Sequence, residues 1–337
     1  MTTRVIAIYG ANGHTGRLVA AELLARGQDV VLAGRDATAL RAMAGETGAR
    51  AHPAALDDAA ALRELAESAT VLIHCAGPFS VTGEPVASAA AEAGCHYVDH
   101  AVEPHHVKHM FDAFQAPAQR NGATMIPGLS FYGGFGDLLA AAVTDGLTDI
   151  DRVTIAYAVT GWRMTTGALN TARQLFAETQ RITFSDGVLR VGYVEPRNTV
   201  FPFPPPLGPR TMIAPVPFPE VVTVPRHVAT REVEAMLTAR TFEEDEVFTS
   251  EDAGAEARAR SEFTVAVQAI AGRAGRAGQV SGHDLWRAGA LASVEAAVRL
   301  AAGEGPAKSG VLSAAEAFPA GPFLSALERL GAFTLTL

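Results

Sequence analysis

From its first residues to about Ile126 the chain alternates short apolar runs with amphipathic stretches, the pattern of strands and helices in a doubly wound parallel sheet. The apolar runs predict strands at Val5 to Tyr9, Asp29 to Ala33, Arg50 to His52, Val71 to Cys75, His96 to Asp99 and Ala123 to Ile126. Between them the 3.6-residue period predicts helices at about Thr15 to Arg26, Thr38 to Glu46, Asp58 to Glu67, Glu84 to Ala93 and Pro104 to Arg120. Gly27 and Gly94 stand where helix-ending glycines belong.

The texture changes at Ile150. Arg152 to Val159, Val188 to Val194, Val221 to Val224 and Phe263 to Ala271 read as strands of a mixed or antiparallel sheet. Phe263 to Ala271, a loop Gly272 to Gly278 and Gln279 to Trp286 predict a hairpin, with an alanine-rich helix after it from Ala288 to Ala302. Ten of the nineteen prolines fall between Pro196 and Pro225, which predicts extended, polyproline-like chain there, a lid or an ordered edge loop. The expected organisation is α/β: a Rossmann-type domain over 1–126 and an α+β domain for substrate or dimerisation over 127–305. A last segment, 306–337, is expected to return to the first domain.

The strongest chemical signal is Gly10-Ala-Asn-Gly13-His-Thr-Gly16, placed between the first strand and an amphipathic helix. Gly10 permits a tight turn, Gly13 a close backbone approach to a pyrophosphate, and Gly16 close packing of helix on sheet. Free N–H groups and the positive helix end then face the anion, with Asn12, His14 and Thr15 beside it. At the end of the second strand a carboxylate selects NAD and an arginine accommodates the 2′-phosphate of NADP. The chain has Gly34-Arg35-Asp36, so NADP(H) is expected, with Asp36 as a helix N-cap. Asp57 contacts the adenine or caps the next helix. Ala76-Gly77-Pro78-Phe79 follows the fourth strand, where the ribose and nicotinamide half of a dinucleotide lies.

Composition narrows the rest. The net charge of −9 gives no footprint for nucleic acid. No apolar run reaches the roughly 18 residues of a membrane span, so a cytoplasmic protein is expected. Cys75 and Cys95 lie in or beside apolar runs and read as free. None of the five tyrosines precedes a lysine by four residues, which excludes the short-chain dehydrogenase proton-transfer pair. No GxSxG elbow is present. His96, His100, His105, His106 and His109 cluster with Asp99 and Glu103, but without an H-E-x-x-H arrangement no metal is expected.

Three blocks resemble the saccharopine dehydrogenase-like oxidoreductases, the group that includes saccharopine reductases and trans-acting enoyl reductases. They are Ile8 to Gly16 with Ala33 to Asp36, then Val71 to Phe79 running through Gly83-Glu84-Pro85 to Gly94-Cys-His-Tyr-Val-Asp99, and Pro127 to Leu138. The family's Tyr-Val-Asp-x-x-Gly-Glu pattern is broken here by His100-Ala-Val102 before Glu103. The resemblance implies an NADP(H)-dependent reductase of a small organic substrate, a C=N of an amino-acid-derived imine or a C=C of an enoyl group, with the nicotinamide between two lobes. A protonating group is then needed, and His100 and Tyr132 are the candidates. Asp99 and Arg163 are candidate substrate contacts, and a homodimer is compatible with the second domain. The alternative is a protein that senses NADP(H) without turnover.

Overall fold

The computed structural model describes residues 4–161, 164–242 and 255–337. The chain divides into two compact units. One comprises the residues up to Ala101, His105–Ser130 and Gly289–Leu312; the other comprises Val102–Pro104, Phe131–Ala288 and Ser313–Leu337.

The first unit is built from β1 (Val5–Tyr9), α1 (His14–Ala25), β2 (Asp29–Gly34), α2 (Ala37–Thr47), β3 (Arg50–Pro53), α3 (Ala59–Glu67), β4 (Val71–His74), α4 (Phe79–Ala93), β5 (His96–Asp99), α5 (Pro104–Asn121) and β6 (Thr124–Ile126). Its seven strands run parallel in the order β15-β6-β5-β4-β1-β2-β3, with β15 the two-residue strand Gly310–Val311. Strand order reverses at β1, between β2 and β4, so the carboxyl ends of β1 and β4 flank the crevice in which such sheets bind ligands. Alternation sets the core: Val5, Ala7 and Tyr9, Val31 and Ala33, Leu72, Tyr97, Met125 and Val311 share one buried cluster with residues of α3, α4 and α5.

The second unit contains α6 (Gly134–Thr144), β7 (Ile150–Thr160), α7 (Thr166–Ala177), β8 (Arg181–Ser185), β9 (Val188–Gly192), β10 (Arg197–Pro202), β11 (Pro209–Ala214), α8 (Glu220–Thr223), β12 (Thr230–Thr238), α9 (Ala255–Ala259), β13 (Glu262–Ala271) and β14 (Ala274–His283). The helix α10 (Leu285–Ala302) follows and from Gly289 belongs to the first unit, while α11 (Ala314–Ala317), α12 (Ala320–Arg329) and β16 (Thr334–Thr336) complete the second. The sheet order is β10-β11-β12-β7-β13-β14-β16, with β8 and β9 attached beside β12. β7 and β12 are parallel while the β13 pairings are antiparallel, giving the expected mixed sheet.

Four local expectations are corrected. The proline-rich stretch is not simple extended chain: β10 and β11 pair antiparallel from Arg197↔Ala214 to Pro202↔Pro209. Pro202 and Pro209 sit at the strand ends and Pro204, Pro205 and Pro206 in the turn, where no ladder N–H is lost. Val221 to Val224 is helical and not a strand, because Pro219 opens α8 and Glu220 is drawn into the interior. The hairpin loop is shorter than expected, with only Gly272 and Arg273 between β13 and β14, Gly272 at φ 57°. Arg276 therefore lies on β14 and donates to Asp145 O. Finally, α4 begins at Phe79, five residues before the expected start, on Pro78 as its N-cap.

Candidate functional site

Gly10 leaves β1 with φ 82°, and a Cβ there would stand 2.8 Å from Ala76 Cβ, so only glycine lets this turn touch the chain leaving β4. Gly16 is tighter still, since its Cβ would meet Gly10 O at 2.2 Å and Ala11 Cα at 2.7 Å. The turn is pinned by the Gly10 and Ala11 amides, which donate to Ala33 O at 2.8 and 3.1 Å. Gly13 is exposed and opens α1 with no side chain capping the helix. Asn12, His14 and Thr15 are half-buried around it, and Arg17 Nε donates to Asn12 O. A positive helix end whose cap is left to a ligand fits a pyrophosphate.

Arg35 follows β2 directly; it is exposed and makes no hydrogen bond or ion pair with another described residue. Asp36 is the N-cap of α2, accepting from Thr38 N and Ala39 N at 3.1 and 3.0 Å. The cap of α3 is Asp58, which accepts from Ala61 N at 3.0 Å, so of the two roles expected for Asp57 the cap is taken by its neighbour. Tyr9 lies between these groups, donating to Ala54 O at 3.0 Å. Burial raises the Tyr9 phenol above its ordinary pKa, and the opposed charges of Arg35 and Asp57 both act on it. Arg35, Asp57 and the Gly10 turn therefore share the carboxyl edge of β1 and β2. Ala76, Gly77 and Pro78 form the neighbouring turn after β4, closed by Thr82 Oγ1 donating to Ala76 O at 2.5 Å, while Phe79 is buried beneath it.

The proposed reaction residues fare differently. Asp99 is fully buried and accepts from Ala101 N, Gly128 N and His106 Nε2 at 2.9, 2.7 and 2.9 Å. Burial alone would raise its pKa, but His106 and the two amides outweigh it and hold the carboxyl below the ordinary range. Its oxygens are engaged within the first unit, Oδ1 by the two amides and Oδ2 by His106. His100 is half-buried, with Nδ1 3.0 Å from Ser130 Oγ and Nε2 2.8 Å from Ser293 Oγ. Burial pulls its pKa to about 4, so the ring is neutral at neutral pH. Tyr132 belongs to the second unit, where its ring packs on Phe131, Tyr157 and Phe218, and burial pushes its phenol well up. Arg163 lies outside the described residues. No group of three or more metal-ligating side chains occurs among the described residues.

Two buried pairs in the second unit were not foreseen. Tyr157 Oη donates to Glu220 Oε1, which also accepts from Gly133 N at 3.3 Å. His227 Nε2 stands 2.7 Å from Asp137 Oδ1. In the first unit, His74 Nδ1 and Tyr97 Oη are 2.9 Å apart. The partners within the two second-unit pairs are separated by 63 and 90 positions, so no local spacing could have announced them.

Comparison with known proteins follows this geometry. Residues 6–126 match the family model of the saccharopine dehydrogenase NADP binding domain. A saccharopine dehydrogenase-like oxidoreductase of Arabidopsis thaliana is 32% identical over 141 residues, covering 37% of this chain and 31% of that protein. A trans-acting enoyl reductase of Mycobacterium ulcerans is 32% identical over 133 residues, covering 37% of this chain and 32% of that protein. The chain thus spans about a third of the length of the curated relatives it matches. Among solved structures, apo saccharopine dehydrogenase (L-Glu forming) from Saccharomyces cerevisiae aligns over 99% of both chains, with a TM-score of 0.66 and 12% identity, a likeness of fold. No helix among the described residues is long and apolar enough to cross a membrane. The Gly10 cradle, the arginine after β2 and the turn after β4 all lie inside the stretch similar to the saccharopine dehydrogenase NADP binding domain, and the cofactor is NADP(H).

Proposed function

We propose that the chain is an oxidoreductase that moves a hydride between NADP(H) and the C=N of an amino-acid-derived imine or the C=C of an enoyl group. The observation that carries this reading is the turn from Gly10 to Gly16, whose Cβ positions are closed by backbone, with the exposed Arg35 at the end of the adjacent strand. The likeness to a saccharopine dehydrogenase-like oxidoreductase and a trans-acting enoyl reductase supports these two substrate classes. The bound dinucleotide supplies the hydride; the rest falls to the chain. Gly10, Gly13 and Gly16, with Asn12, His14 and Thr15, bind the pyrophosphate on the α1 N-terminus. Arg35 holds the 2′-phosphate, Asp57 lies toward the adenosine half, and the turn from Ala76 to Phe79 receives the nicotinamide half.

Reduction of either bond leaves a centre that must be protonated. Burial raises the Tyr132 phenol and makes it a weaker acid than a free tyrosine, so its Oη, to which we assign the proton, would release it only as negative charge develops on the substrate. His100, neutral between two serine hydroxyls, positions Ser130 and serves as the second candidate. Arg163 remains the proposed contact for an acidic substrate. The same reading has the chain acting in the cytoplasm as a homodimer, for which exposed Val188, Val191, Tyr193 and Val200 provide apolar surface. Light scattering tests that last point, and a monomer at micromolar concentration removes it.

The test of the activity is NADPH oxidation with a panel of imines, keto acid plus amine pairs and enoyl thioesters. Turnover of one class supports the reading and names the substrate. NADPH binding without turnover of any, together with a partner protein released by NADPH, replaces the enzyme with a sensor.

A further inference from the structure

Phe79 is the first residue of α4 and the last of the turn assigned to the nicotinamide half, and two histidine rings flank it. The His74 ring meets it edge-on at 4.9 Å between centroids, and the His106 ring lies at 5.6 Å. The rings come from different elements, β4 and α5, yet each is held by β5. Tyr97 Oη is 2.9 Å from His74 Nδ1, and Asp99 Oδ2 is 2.9 Å from His106 Nε2. Residues 97 and 99 are two apart on one strand and therefore point to the same face.

Every member of this arrangement is buried, His74, Tyr97 and Asp99 completely. Burial draws His74 down to about 3, so it acts as a neutral ring and hydrogen-bond partner. Its other contacts tie it to β1, because the Tyr9 ring lies edge-on at 5.3 Å. Asp99 is fixed in turn by the Ala101 and Gly128 amides. One turn into α4 the helix comes so close to His106 that a Cβ on Gly83 would stand 2.3 Å from the ring's Cε1. An apolar core would pack Phe79 without the desolvation cost of these polar groups, and His74 Nε2 is buried with no hydrogen-bond partner among the described residues, so the network specifies a position more than it adds stability.

We propose that Tyr97 and Asp99, acting through His74 and His106, clamp Phe79 and thereby hold the Gly77–Pro78 turn in place for the nicotinamide half of NADP(H). The clamp rests on the reading that this turn receives that half. Its four polar residues are positioning residues, and Gly83 is the space that lets the His106 ring reach Phe79.

Calorimetric titration of the whole chain with NADPH and with 2′,5′-ADP separates the two halves of the site, since 2′,5′-ADP carries the adenosine with its 2′- and 5′-phosphates and lacks the nicotinamide half. Tyr97→Phe, which removes one hydroxyl, and Gly83→Ala are each expected to weaken NADPH about tenfold, the equivalent of one lost hydrogen bond, while 2′,5′-ADP stays within about twofold. His106→Gln, which can still donate to Asp99, is expected to recover much of what His106→Ala loses. Thermal melting of each variant confirms a folded chain. Loss of both ligands in step marks a merely structural network and overturns the clamp, as does unchanged NADPH affinity in folded Tyr97→Phe and Gly83→Ala. If the unaltered protein binds 2′,5′-ADP as tightly as NADPH, the turn does not receive the nicotinamide half, and the reading beneath the clamp fails with it.

Discussion

Gly16 shows how little freedom one position has. A methyl there would stand 2.2 Å from Gly10 O and 2.7 Å from Ala11 Cα, atoms of a backbone turn that cannot swing aside as a side chain would. Gly16→Ala is therefore expected to push α1 off the turn, lowering stability by about 1–3 kcal/mol and NADPH affinity by more than about tenfold. Thermal melting and calorimetry measure the two effects, and a variant with both unchanged contradicts the packing argument. Arg35 is the opposite case, an exposed side chain without an ion pair among the described residues, whose loss should leave the fold alone. Its charge-assisted bond to a 2′-phosphate is worth about 1.5–3 kcal/mol, so Arg35→Ala is expected to weaken NADPH by roughly ten- to a hundredfold and NADH little. Equal losses for both dinucleotides remove Arg35 from the phosphate. Both residues were legible in the sequence because each belongs to a motif read within a few positions of a strand end. Asp99 was legible only in part: its place at the end of β5 was visible, but the amides of Ala101 and Gly128 and the ring of His106 that engage it are brought by folding.

Among the elements, α8 depends most on its surroundings. Its four residues, Glu220 to Thr223, carry three β-branched side chains and read as a strand, yet they form a helical turn with Glu220 fully buried. Tyr157 from β7 and Gly133 before α6 both donate to Glu220 Oε1, and the other carboxyl oxygen has no hydrogen-bond partner among the described residues. The two donors favour the anion, but burial outweighs them and lifts Glu220 to about 7. A carboxyl whose folded pKa lies above its unfolded one stabilises the fold most below the unfolded value, and the contribution is lost as pH rises through the folded value. Stability is thus expected to fall between about pH 4.5 and pH 7, by on the order of 3 kcal/mol from this group. Glu220→Gln, neutral and of the same shape, is expected to flatten that segment of the curve in denaturant titrations at stepped pH. A slope identical to that of the unaltered protein rules Glu220 out as its source. The strands of the first unit were readable because a buried parallel sheet needs continuous apolar runs; α8, β10 and β11 were not, because proline punctuation and long-range partners set their conformation.

Across the whole chain, the last segment serves both units. Gly310–Val311 adds the strand β15 beside β6, with Val311 N donating to Gln115 Oε1 at 2.9 Å. Gly310 occupies φ 125°, a conformation that favours glycine, beside the side chain of Gln115. Farther along, Thr334–Thr336 pairs with β14 as the outermost strand at that end of the second sheet. Each sheet thus owes one of its outer strands to residues after 305. A chain ending at residue 305 would bare Thr124–Ile126 in one sheet and Gln279–Ser281 in the other, rows of unpaired N–H and C=O groups of the kind that template aggregation. The first of these edges is fully buried in the intact protein, so its exposure also strips apolar cover from Met125 and Ile126. The shortened chain is expected to fall into the insoluble fraction, or to scatter as large species when refolded, while the full chain stays dispersed. A soluble shortened chain with the melting temperature of the full one would show that both sheets close without β15 and β16, and that the final segment contributes something other than edge protection.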